Sequence, residues 1–196
     1  MPGLRQKDTM DLPWGDERSV KFITNVGLIT SDGPHGPNIM SCEFTHHVAY
    51  SPGIIAIGLK TSDATHDYVH KTKEFGVNLA ATDQAMFIPV AGHYSARDID
   101  KIKALEKLGL QFTKAKKIKT LMVKGAALQA ECKVIKEIPL GSHTLFIGEI
   151  LEASQDSNKK PVGFHSRQLW ELTTPLPWPS EQEQARIKKV VEEFKK

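Results

Sequence analysis

The chain reads as a mainly β protein, an antiparallel barrel with helices inserted between strands rather than alternating with them. Two observations lead there. Six or more strand-like segments are separated by turn signals of Gly, Pro, Ser and Asp, and the segment over 127–138 alternates apolar and polar residues as a strand with one side on a core does.

Residues 1–18 are polar and broken by Pro2, Gly3, Pro13 and Gly15, the composition of an arm. A strand over 20–30 follows and ends in Ser31-Asp32-Gly33-Pro34-His35-Gly36-Pro37, a dense cluster of turn residues. Residues 38–46 and 54–59 are further strands, with Ser51-Pro52-Gly53 between them. A short helix over 67–71 leads back to strand over 75–80. The pattern from 82 to about 108 is mostly helical, interrupted by Pro89 and Gly92, and Gly109 supplies a C-terminal stop. In 127–138, Leu128, Ala130, Cys132 and Val134 share one face while Gln129, Glu131, Lys133 and Glu137 take the other; Ile135 is the exception. Pro139-Leu140-Gly141-Ser142 then turns the chain into a strand over 143–151, so the two form a hairpin. A polar loop over 154–160 precedes a last short segment, 162–172.

Pro175, Pro177 and Pro179 make a stiff spacer. Ser180-Glu181-Gln182-Glu183 is a capping box, in which the Ser oxygen and the Glu carboxylate satisfy helix-start amides reciprocally. Ile187, Val190, Val191 and Phe194 recur at i, i+3, i+4 and i+7, opposite Lys188, Glu192 and Lys195. This predicts an amphipathic C-terminal helix that needs a surface to land on, either its own barrel or a second subunit. The expected organisation is an arm over 1–18, a barrel domain over 19–174, and a spacer with helix over 175–196.

At 196 residues, one domain with an appendage can bury a sizeable core. The formal charge of +3 is too small to argue for a nucleic-acid partner, and Lys114-Ala115-Lys116-Lys117-Ile118-Lys119 reads as a solvated loop. Cys42 and Cys132 form no C-x-x-C pair and sit in apolar strand patterns, as buried, reduced thiols do. The N-terminus has no apolar leader and no run approaches membrane-spanning length, so the expectation is a cytoplasmic protein without a membrane partner.

Two segments carry the chemistry. Asn38-Ile39-Met40-Ser41-Cys42-Glu43-Phe44 could let a flat polar ring lie along a strand. Lys60-Thr61-Ser62-Asp63-Ala64-Thr65-His66 leaves an apolar strand and opens a helix with a cation and three hydroxyls, a set suited to a phosphate at a helix N-terminus. Asp63 fits better as a helix cap than as a phosphate neighbour. His66 and His70 are spaced i, i+4 but lack the Glu of H-E-x-x-H, and His46-His47 point to opposite strand faces, so no metal site is expected. G-x-G-x-x-G, Walker and G-x-S-x-G motifs are missing, which argues against a separate Rossmann domain.

Followed in order by Phe75-Gly76-Val77-Asn78 and Gly141-Ser142-His143-Thr144-Leu145-Phe146-Ile147-Gly148-Glu149-Ile150, these pieces resemble the flavin reductase-like family. Its members are FMN-binding split β-barrels that include flavoredoxins and NAD(P)H:flavin or ferric reductases. The resemblance runs from about Phe22 to Leu172. It implies that Asn38, Met40, Ser41 and Cys42 lie beside the isoalloxazine, that Lys60, Thr61, Ser62, Thr65 and His66 surround the FMN phosphate, and that Asn78 bridges the flavin edge and the neighbouring strand. Ser95, Arg97 and Lys101 lie in a stretch similar to the family's Ser-Gly…Asp-Lys run, with Ala96 in place of the Gly; the two cations could neutralise the flavin phosphate or that of a nicotinamide nucleotide. His143 corresponds to a His that several reductases place near the nicotinamide, with Ser142 in place of an Asp, and is the expected catalytic residue. The implied activity is hydride transfer from NADH or NADPH to FMN and on to free flavin, ferric iron or a protein, in a homodimer. The alternatives are an FMN electron carrier with no nicotinamide site, as in flavoredoxin, and a split barrel without flavin that serves as an interaction module.

Overall fold

The computed structural model of the chain describes residues 10–195. The first nine residues of the expected arm lie outside the described residues. The strand expected over 20–30 is two strands in two sheets. After a 3₁₀ turn at Ser19–Lys21, β1 (Thr24–Asn25) enters a small sheet and β2 (Gly27–Gly33) a large one. β3 (Gly36–Cys42), β4 (Thr45–Tyr50) and β5 (Gly53–Lys60) follow, so the strand expected over 38–46 is also broken, at Glu43-Phe44. Then come α1 (Ala64–Thr72), β6 (Glu74–Leu79), a 3₁₀ segment Thr82–Phe87, α2 (Ile88–His93) and α3 (Lys101–Lys107). β7 (Phe112–Lys114) and β8 (Leu121–Val123) form a short pair, β9 (Leu128–Leu140) and β10 (His143–Gln155) the long hairpin, and β11 (Val162–His165) and β12 (Gln168–Glu171) a last hairpin before α4 (Glu181–Glu192).

Seven strands pair antiparallel in the order β3-β2-β6-β9-β10-β5-β4, and β1-β11-β12 form a separate three-stranded sheet. The large sheet curls so that its edge strands β3 and β4 run into one another through Glu43-Phe44, where the barrel is split. One apolar cluster fills the barrel: Ile29, Ile57, Leu59, Phe75, Val77, Cys132 and Phe146. A second lies between the other face of β2 and β3 and the inserted helices, through Leu28, Ile39, Ala91, Ile102 and Leu105. β2 is buried on both faces, which is why Gly27-Leu28-Ile29-Thr30-Ser31 shows no polar side in the sequence.

Ile135, the exception in the alternating pattern, is skipped where the β9–β10 register shifts between Ile147 and Gly148; it is a β-bulge residue and faces outward. The side chains of Lys114, Lys116, Lys117 and Lys119 are exposed, as expected of a solvated loop, but the backbone beneath them is held. Glu131 is buried and accepts from the amides of Lys116 (2.8 Å), Lys117 (2.6 Å) and Ile118 (3.2 Å), so the loop folds around one carboxylate. Gly109 ends its helix at φ +103°, a conformation that favours glycine.

Candidate functional site

A cavity of about 850 Å³ opens where β3 ends, bounded by Met40, Ser41, Cys42 and Phe44, by Gly58 and Lys60 of β5, by Asp63, and by Ser142 and His143 of the β9–β10 turn. Trp14 of the arm, Phe22 and Ile23 ahead of β1, and Phe164 and Arg167 of the β11–β12 hairpin complete it. The bend at its centre is built locally. The Cys42 thiol donates to the carbonyls of Phe44 (3.6 Å) and Gly58 (3.4 Å), and Thr45 Oγ1 donates to the carbonyl of Cys42 (3.1 Å). Burial pushes the Cys42 thiol up to about 11, so it is a packing and hydrogen-bonding group at neutral pH rather than a thiolate.

Phe44 lies over Gly58, where a Cβ would crowd it, and meets the His143 ring edge-on at a centroid distance of 5.5 Å. Ser142 Oγ is 2.8 Å from His143 Nδ1, which leaves Nε2 as the nitrogen available to a ligand. Burial first, and the charge of Lys60 second, hold His143 below the usual histidine range, so its ring is neutral at pH 7. Ser41 faces the helix side of β3, where Gly92 of α2 comes so close to its hydroxyl that a side chain at 92 would displace it. Both residues line the cavity.

The start of α1 lies beside this cavity. Asp63 occupies the N-cap position, yet its carboxylate makes no capping bond; it lines the cavity instead. No side chain therefore competes with an anion for the first amides of the nine-residue helix. Arg97 braces the same turn, donating to the carbonyl of Ser62 (2.7 Å) and the carboxylate of Asp67 (2.8 Å). Behind it, Lys101 Nζ is buried and donates to the Ala91 carbonyl (3.2 Å); desolvation pushes it down to about 8 against the opposing pull of Asp63. Ser31 Oγ, Asn38 Oδ1 and Tyr68 OH are buried without partners where β2, β3 and α1 meet, although Asn38 Nδ2 donates to Thr65 Oγ1 (2.9 Å).

Residues 19–173 match the family model described as flavin reductase like domain. The chain belongs to that family. An uncharacterized protein of Archaeoglobus fulgidus is 32% identical over 127 residues, 65% of this chain and 70% of that protein. The ferric-chelate reductase (NAD(P)H) of the same organism is 31% identical over 103 residues, 52% of this chain and 58% of its own length. Flavoredoxin of Desulfovibrio vulgaris (Miyazaki F) superposes with a TM-score of 0.73 at 22% identity, covering 88% of this chain and 98% of that structure.

Within this flavin reductase-like domain, Met40, Ser41, Cys42, Lys60 and His143 line the cavity, and Thr61, Ser62 and Thr65 surround the start of α1. Of these last three, Thr65 is buried and the other two are exposed. His66 is tied away from the cavity, its Nε2 2.9 Å from Thr144 Oγ1. Ser95 accepts from the Arg97 amide (3.2 Å) and shapes a turn outside the cavity wall. Asn78 departs from the expected bridge to a ligand. Its Nδ2 donates to the Leu28 carbonyl (2.9 Å) and Thr30 Oγ1 (3.4 Å), while its Oδ1 accepts from the Val123 amide (2.8 Å) and Gln129 Nε2 (3.4 Å). Every donor and acceptor of that amide is occupied in the interior. Trp14, Ile23 and Arg167 are cavity residues that no motif in the sequence marks; the left-handed pair Ser166-Arg167 follows no glycine signal. Among the described residues no group of three or more His, Cys, Asp or Glu could hold a metal ion, and no helix is long and apolar enough to cross a membrane.

Proposed function

We propose that the cavity binds FMN and a reduced nicotinamide nucleotide, and that the chain is an NAD(P)H-dependent flavin reductase whose acceptor is free flavin, ferric iron or a protein. The observation that carries this reading is a cavity in which Lys60, beside a helix start that its own N-cap side chain leaves uncapped, pairs across β5 and β10 with His143, a neutral imidazole held by a serine against Phe44.

The residues suit the group. Lys60, Thr61, Ser62, Thr65 and the α1 amides would hold the phosphate, with Lys101 adding positive charge from behind. The unpartnered Asn38 Oδ1 is an acceptor that the hydroxyls of a ribityl chain could fill. Ser41 would address the ring's polar edge, and Met40 and Phe44 its apolar surface. Bound flavin supplies the capacity to take two electrons from a nicotinamide and release them to an acceptor. His143 Nε2 would orient the nicotinamide amide, and Phe44 with Trp14 of the arm and with Phe22 and Ile23 ahead of β1 would exclude water. Support for a homodimer comes from α4 and the turn after it, where the apolar residues Ile187, Val190, Val191 and Phe194 are all exposed on the single chain. The two buried free thiols suit the reducing cytoplasm.

The test is an absorbance spectrum of purified protein followed by anaerobic titration with NADH and NADPH. FMN should bind at least tenfold more tightly than riboflavin, because each charge-assisted bond to the phosphate contributes roughly 1.5–3 kcal/mol, and Lys60→Ala should erase much of that difference. Equal affinity for FMN and riboflavin would sink the phosphate assignment. A flavin that stays yellow with both nucleotides would favour the carrier reading, and a colourless protein that takes up no FMN would favour the interaction module.

A further inference from the structure

We propose that Trp14 and Arg167 form a subsite for the adenosine diphosphate group of a dinucleotide, on the part of the cavity built by the arm and the small sheet. The inference deepens the reading of the cavity as a nucleotide site and rests on it.

Arg167 is presented by design of the backbone rather than by chance of rotamer. Ser166 and Arg167 both take left-handed conformations, φ 50° and 62°, the pair of angles that closes the tightest β-hairpins. Neither is glycine, so the β11–β12 turn is held against its local preference. The 3₁₀ turn Ser19–Lys21 does the holding: the Ser166 amide donates to the Val20 carbonyl at 3.3 Å, and Ser166 Oγ donates to the same oxygen at 3.5 Å. The guanidinium carbon then sits 4.8 Å from the centre of the Trp14 ring, over the indole face. Gly15 follows at φ +88°, a conformation that favours glycine, beside the Arg167 side chain.

Among the described residues Arg167 has no carboxylate partner, unlike Arg18 and Arg97, each of which pairs with an aspartate. Trp14 remains 63% exposed even with a guanidinium on one face, so the indole still has surface to give. Both side chains line the cavity that holds Lys60 and His143. A fixed, unpaired guanidinium recognises phosphate through its planar fork, and an open indole stacks a purine. The combination selects a ligand that carries both, as the adenosine end of NADH, NADPH or FAD does. The cavity's volume of about 850 Å³ lies near the upper end of the roughly 300–1,000 Å³ typical of small-molecule sites, with room beyond a single ring system.

Calorimetric titration of the purified full chain with ADP tests this directly, without reference to turnover. ADP should bind, and Arg167→Gln should weaken it at least tenfold. Trp14→Leu should weaken ADP but not inorganic pyrophosphate, and Trp14→Phe should restore part of the loss; FMN affinity should be unchanged in Arg167→Gln. The source of the group is read from two comparisons on Arg167→Gln. A KM raised for NADH or NADPH but not for reduced nicotinamide mononucleotide assigns it to the nicotinamide substrate, and an affinity lowered for FAD but not FMN assigns it to the flavin. Wild-type protein that does not bind ADP, or an Arg167→Gln variant that binds it as tightly as wild type, overturns the subsite. ADP binding that depends on Arg167 in a protein that takes up no flavin would leave the subsite standing and remove the reductase reading instead.

Discussion

His143 has one nitrogen engaged by Ser142 and its ring against Phe44. Under the proposed function, His143→Ala should leave FMN bound and slow its reduction by NAD(P)H about 10²-fold, measured by anaerobic stopped flow. An unchanged rate would make His143 a structural residue. The pH dependence follows from its environment. Burial and Lys60 depress the pKa, so the folded protein binds the proton at a lower pH than the unfolded chain, whose histidine titrates near about 6.5. The stability contributed by the neutral ring is present above that pH and is lost as pH falls through the folded-state pKa. Reduction should therefore fail on the acid side with a midpoint below about 6.5, and His143→Gln should abolish that limb. His143, Lys60 and Ser41 were legible because each sits in a local pattern, a turn, a strand end or an alternating strand. Trp14 and Arg167 were not, because what brings them together is the packing of an arm on a hairpin some 150 residues away in sequence (14 to 167).

Glu131 shows what an element can hide. Its place on the polar side of an alternating strand reads as exposure, yet that side is covered by the segment between β7 and β8. Glu131→Ala would leave three amides short of their acceptor and should destabilise the protein by about 3 kcal/mol or more in urea unfolding. Glu131→Gln, which keeps one acceptor oxygen, should fall between. A loss below about 0.5 kcal/mol for Glu131→Ala would show that water replaces the carboxylate freely. The long strands were legible from period and turn signals; β7 and β8, three residues each, were too short to show a period, and the lysines beside them look solvated. The breaks at Val26 and at Glu43-Phe44 were missed for a related reason. Val26 and Phe44 are apolar enough to continue a strand, and only the change of sheet or the closing of the barrel interrupts them.

For the whole molecule, the unresolved balance lies in the C-terminal segment. The capping box forms as expected, with the Ser180 amide donating to Glu183 Oε2 at 2.7 Å and the Glu183 amide to Ser180 Oγ at 3.3 Å. Capping alone does not sustain a helix of this length in water. Covering the four apolar residues of its stripe is worth about 6–10 kcal/mol before ordering entropy. Deleting residues 180–196 should weaken the proposed dimer, measured by analytical ultracentrifugation at falling concentration. A truncated chain that stays dimeric with unchanged FMN affinity would show that the helix contributes nothing to assembly.

The clamp on the lysine loop has a consequence for proteolysis. Trypsin needs a stretch of chain that can leave its own hydrogen bonds and lie extended in the protease cleft. Lys116, Lys117 and Lys119 are rich in apparent cleavage sites, but their amides are bound to Glu131 and Glu74. Arg186, Lys188 and Lys189 stand on an exposed helix. Limited digestion should therefore trim the tail first and leave the most basic stretch of the sequence uncut. Protection of the tail as protein concentration rises would report the covering of α4 by a second copy, on a gel and without any label.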